Sequence, residues 1–64
     1  MFRLEIHTDN AAFHDEAGGI PDVYALHGEV RRILTAVTER VAAGKTVGAC
    51  TDYNGNIVGS WELR

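Results

Sequence analysis

Residues 52 to 63 read DYNGNIVGSWEL, and the fold turns on how this stretch is interpreted. Asp52, Asn54 and Asn56 recur at every second position, as the first ligands of a calcium loop do. An EF-hand loop also needs a Gly at its sixth position and a bidentate Glu at its twelfth. Here those positions hold Ile57 and Leu63, with Glu62 one place early and no second helix to follow. The stretch is therefore read as a hairpin turn feeding a strand.

The length of the loop sets which side chains are buried, because a one-residue slip turns every side chain to the other face. A two-residue Asn54-Gly55 turn would leave Val47 and Ala49 opposite Glu62 and Ser60. A three-residue loop, Tyr53-Asn54-Gly55, pairs residue 52 with 56, and places Val47, Ala49, Ile57 and Trp61 on one face. That loop is a type I turn closed by a left-handed residue, a conformation Gly55 adopts without steric strain. Asp52 and Asn54 suit the turn positions they would occupy. The three-residue loop is the expectation, joining strands over 46–51 and 56–63.

Working back along the chain, Val23, Leu26, Val30, Ile33, Val37 and Val41 recur at spacings of three and four, and Leu34 widens the stripe. That is one face of an α-helix. Glu29, Arg32, Thr35, Glu39 and Arg40 are assigned to the solvated side, with Glu29 and Arg32 placed for an i,i+3 pair. Asp22 is the expected N-cap and Gly44-Lys45 the stop, and the helix is clearest over 28–43. Near the N-terminus Phe2, Leu4 and Ile6 alternate with Arg3, Glu5 and His7, the pattern of a half-buried strand over 2–8. Residues 8–22 mix acids, glycines and the single proline and read as a flexible loop, with a short turn at Ala11 to Phe13 and Phe13 pinning it to the body.

The expected fold is thus α+β, with β-α-β-β order. A three-stranded, mainly antiparallel sheet would carry one helix on one face. Strand 3 carries more large apolar residues than strand 2, which favours a 1-3-2 order over 1-2-3. The helix would cover Phe2, Leu4, Ile6, Val47, Ala49, Ile57, Gly59 and Trp61. The opposite face would show Arg3, Glu5, His7, Thr46, Gly48, Cys50, Val58, Ser60 and Glu62. In the 1-3-2 order strand 2 lies at an edge, and TVGACT has no charge or proline to guard it. The candidate partner surface is therefore Thr46, Gly48, Cys50, Val58, Arg3 and His7, with homodimerisation along the 46–51 edge weighed against a monomer.

Composition bounds the chemistry. Sixty-four residues make a single small domain, 45% hydrophobic and 23% charged, with one cysteine and so no internal disulfide. The N-terminus has no secretory h-region and no apolar run reaches membrane-spanning length, which points to the cytoplasm and away from a membrane partner. A net charge of −3 argues against bulk electrostatic attachment to nucleic acid. Arg31, Arg32 and Arg40 are the candidate contacts for the alternative, nucleic-acid-binding reading. His7, His14, His27 and Cys50 have no zinc-ligand spacing. Cys50 would be a nucleophile only with a basic neighbour and a pocket, and as a strand cysteine beside small residues it reads as a space-filler. No catalytic constellation, phosphate loop or cofactor motif is present, and no cofactor is expected.

EVRRIL, AAGKTVG and DYNGNIVGSWEL, taken together, resemble short uncharacterised proteins of actinobacterial phages and related mobile elements. In these a helix ending in glycine leads into a D-x-N-G-N-x-V-G hairpin. The resemblance spans about residues 29 to 63 and carries no catalytic motif. It implies a small accessory protein of phage origin in a bacterial host cell. The sequence reading is a non-enzymatic protein–protein interaction module with a host-protein partner. Its alternatives are a nucleic-acid-binding module and a structural subunit of a larger assembly.

Overall fold

The structure, a computed structural model, describes residues 1–14 and 23–64. Its elements are β1 (Phe2–Ile6), a 3-10 turn (Ala11–Phe13), α1 (Val23–Ala42), β2 (Val47–Thr51) and β3 (Ile57–Leu63). The three strands form one antiparallel sheet in the order β1-β3-β2, with α1 packed on one face. This is the expected β-α-β-β fold and the favoured strand order. The Asp22 cap and the part of the 8–22 loop beyond His14 lie outside the described residues.

Local chemistry fixes the ends of the elements. Asn10 caps the 3-10 turn, its Oδ1 accepting the Ala12 N–H at 2.9 Å, and the turn delivers Phe13, fully buried, to the core. At the other end of α1 the Lys45 N–H bonds the Arg40 carbonyl and the Gly44 N–H that of Val41, both at 3.0 Å. That is a Schellman stop, with Gly44 at φ +90°. Ile33 and Val37 reach the centre of the core, while Leu26, Val30 and Val41 flank it. Ala12, Phe13, Cys50, Val58 and Trp61 complete the core.

The hairpin loop is the expected one. The Asp52 N–H bonds the Asn56 carbonyl at 2.9 Å, the Gly55 N–H bonds the Asp52 carbonyl at 3.0 Å, and Gly55 sits at φ +87°. Thr51 then pairs with Ile57, but Cys50 pairs with Gly59, so a β-bulge inserts Val58 as an extra residue in β3. A bulge re-phases a strand as a slip would. Gly48 consequently faces Trp61, and Cys50 faces Gly59.

The bulge overturns the assigned faces of the hairpin. Cys50 and Val58, assigned to the open face, are buried in the core, and Gly48 is half-buried. Val47, Ala49 and Ile57, assigned to the core, are exposed. The physical reason is the room Trp61 needs. A Cβ at position 48 would lie 2.6 Å from its indole Nε1, so only glycine fits beneath the ring, and no valine could stand there. Gly59 is needed as well, since its Cβ would lie 1.8 Å from the Glu5 carbonyl oxygen where β1 passes. A second correction concerns Glu29, assigned to solvent but in fact buried at 6% exposure.

Candidate interaction edge

The outer strand β2 pairs with β3 on one side only. Thr46 accepts the Leu63 N–H at 2.7 Å, which places Thr46, Gly48 and Cys50 in phase with β3. Antiparallel strands alternate the direction of their backbone groups. The N–H and C=O of Val47 and Ala49 therefore point away from the sheet. The side chains of the same two residues stand on the face opposite α1, where Val47 is 67% and Ile57 74% exposed. The edge strand itself thus shows two uncharged side chains, Val47 and Ala49, beside its unpaired backbone, with Glu62 and Ser60 across from them on β3.

One end of this edge is closed. Arg32 donates from Nη2 to the Thr51 carbonyl at 2.6 Å. Its Nε is held by Glu29 Oε1 at 2.5 Å, and Glu29 Oε2 also accepts the Tyr53 N–H at 2.8 Å. The hydrogen bond to Glu29 raises the Arg32 guanidinium pKa above its usual value; burial opposes it, and the charges of Glu29 and Asp52 add to the rise. A helix side chain thus occupies the carbonyl that the next strand would need.

Asp52 holds the turn beside this clamp. Its Oδ1 accepts the Asn54 and Asn56 N–H groups, each at 2.9 Å, while Oδ2 accepts the side-chain amides of Asn10 at 2.8 Å and Asn56 at 3.1 Å. Burial pushes the carboxyl pKa up, but the hydrogen bonds from Asn56, Asn10 and Asn54 outweigh it and hold the group below its ordinary value. A carboxylate with both oxygens engaged in this way is turn architecture. Among the described residues no cluster of three or more His, Cys, Asp or Glu side chains could hold a metal ion.

Of the expected partner surface, Thr46, Arg3 and His7 are exposed, whereas Gly48, Cys50 and Val58 turn inward. The six residues therefore do not make one surface. Burial raises the Cys50 thiol pKa, partly countered by Arg40, so the sulfur stays a neutral packing group. The three arginines are exposed, but Arg32 is engaged by Glu29 and Thr51; Arg31 shares a shallow furrow with it, lined also by Glu39. Another furrow along α1, lined by Leu26, His27, Val30, Arg31 and Leu34, is apolar. Its backbone groups belong to helix hydrogen bonds, so it offers a partner less directional recognition than the edge does.

Sequence reasoning missed Val47, Ala49 and Ile57 as surface residues and Glu29 as a buried one. A signal for Glu29 existed, because residues 29, 33 and 37 recur at i, i+4 and i+8 on the buried stripe. Comparison with known proteins finds no matching family model, no matching curated protein and no matching solved structure. No described helix is long and apolar enough to cross a membrane.

Proposed function

We propose that this chain is a non-enzymatic interaction module that binds protein by adding a strand at β2. One observation carries the reading: the outward backbone of Val47 and Ala49 lies beside the exposed apolar side chains of Val47, Ala49 and Ile57. Strand addition draws affinity from main-chain hydrogen bonds and specificity from alternate side chains, and this edge supplies both. The resemblance to small phage proteins supports an accessory role inside a bacterial cell, with a host protein as one class of partner.

Affinity capture from bacterial lysate tests the reading, comparing wild type with Ala49→Pro. Proline removes the outward N–H of residue 49 without removing a β2–β3 hydrogen bond. The expected result is a stoichiometric protein retained by wild type and lost with the variant. Capture that is unchanged by Ala49→Pro, or abolished by nuclease, refutes strand addition as the function.

A further inference from the structure

We infer that the strand taken up at this edge is β2 of a second copy, paired antiparallel about a two-fold axis through Gly48. The inference rests on the strand-addition reading and names the occupant in the isolated protein, a second copy that a host strand must displace. An antiparallel edge is its own complement, since a two-fold axis turns each outward N–H onto an outward C=O of the other copy. The side chains fit in the same way. β2 offers uncharged Val47 and Ala49 on its open face, and the strand that best continues such a strip is another one bearing Val and Ala at the same spacing. The other sheet edge contrasts with it, because β1 carries Arg3 and Glu5 between its apolar residues, charges of the kind that deter edge pairing.

The Arg32 clamp selects the register. Centring the pair on Ala49 would match Val47 with Thr51 of the second copy and require the Thr51 carbonyl, which already accepts Arg32. Centring it on Gly48 matches Val47 with Ala49 in both directions and leaves Thr51 unused. The face toward α1 then has glycine against glycine at the axis, without a side chain to hold the two backbones apart. A seam this short falls at the small end of protein interfaces, so the dimer is expected to be weak, on the order of micromolar or looser.

Sedimentation from about 10 µM to 1 mM tests the pairing, a range chosen around that affinity. The weight-average mass of wild type should climb from 7.0 kDa toward twice that value, and Val47→Lys, a change at an exposed side chain, should hold it at 7.0 kDa. Register is read by cross-linking. Directly paired residues have Cα atoms about 5.5 Å apart, within disulfide reach, and diagonal neighbours do not. A mixture of Val47→Cys and Ala49→Cys should therefore form an oxidised heterodimer, and Ala49→Cys alone should form little. The buried native Cys50 serves as the background control.

A mass of 7.0 kDa at every concentration overturns the inference. So does Ala49→Cys cross-linking with itself as readily as with Val47→Cys. If the chain stays monomeric while Ala49→Pro still abolishes lysate capture, the second copy is refuted and strand addition stands. If capture also ignores Ala49→Pro, both readings fall.

Discussion

Gly59→Ala is the substitution that most directly tests how β1 sits against β3. A Cβ at residue 59 would lie 1.8 Å from the Glu5 carbonyl oxygen, 2.8 Å from its carbonyl carbon and 3.0 Å from the Ile6 Cα. Every one of these atoms is backbone, so no rotamer change relieves the contact. Ordinary separation needs an opening of well over 1 Å between strands normally about 4.8 Å apart, enough to break the hydrogen bonds between them. Overpacking that side chains can absorb costs about 1–3 kcal/mol, and this contact should cost about 3 kcal/mol or more. At about 0.05–0.15 kcal/mol per residue, a domain of this size has only about 3–10 kcal/mol in total. Gly28→Ala is the control, because the added methyl meets nothing within 4 Å. In a helix interior that exchange should stabilise by about 0.5–1 kcal/mol. Urea unfolding followed by the fluorescence of Trp61, the single tryptophan, measures both variants. Gly59→Ala should also strip amide protection from His7, whose N–H bonds the Val58 carbonyl at 2.7 Å. A Gly59→Ala midpoint equal to wild type, with His7 still protected, would refute the close approach of the two strands.

The remaining predictions concern buried polar groups. The Asp52 carboxyl is depressed in the folded state, so the unfolded chain binds its proton more readily on acidification. Its stabilising effect is complete above the ordinary carboxyl value of about 4 and fades as the pH drops through the lower, folded value. Urea midpoints measured between pH 7 and 2 should fall at the acid end for wild type, and Asp52→Asn should show a flatter profile. Glu29→Ala leaves the Tyr53 N–H without its acceptor and releases Arg32, and should cost about 1–3 kcal/mol with faster amide exchange at Tyr53. An unchanged midpoint would mean that water replaces the carboxylate without loss. Cys50, at 2% exposure, should react with an aromatic disulfide reagent only as fast as the protein opens, and at once in urea. Immediate modification of the folded protein would place the thiol at the surface instead.

Much of the fold was legible because several independent signals agreed. The apolar stripe through Ile33 and Val37, the Gly44 stop and the turn chemistry of Asp52, Asn54 and Gly55 each rest on local rules, and each is found in the structure. The β1-β3-β2 order followed from β3 carrying the largest apolar residues, as a central strand should. The facing of β2 was not legible by the same means. Counting outward from a correct turn assumes an unbroken ladder, and the insertion of Val58 breaks it after one pair. Glu29 was missed for a different reason. Pattern reading treats a charge as a surface marker, whereas this carboxylate is buried because Arg32 and the Tyr53 N–H satisfy it.

The misread facing and the candidate site have one origin. Without the bulge, Val47, Ala49 and Ile57 would lie under α1, and Gly48 and Cys50 would stand on the open face of the edge strand instead. With it, Val58 and Cys50 fill the core beside Trp61, Gly48 clears space for the indole, and three apolar side chains pass to the exposed face. A small domain has few apolar residues to place, and exposing Val47 and Ile57 forgoes burial worth roughly 1.5–3 kcal/mol for each side chain. An added strand recovers part of that burial at Val47, and it does so where the backbone of the same residue is unpaired. The strip and the edge act as one surface, and substitutions at Val47 and Ala49 should therefore weaken binding together, while those at Arg3 and His7 leave it unchanged.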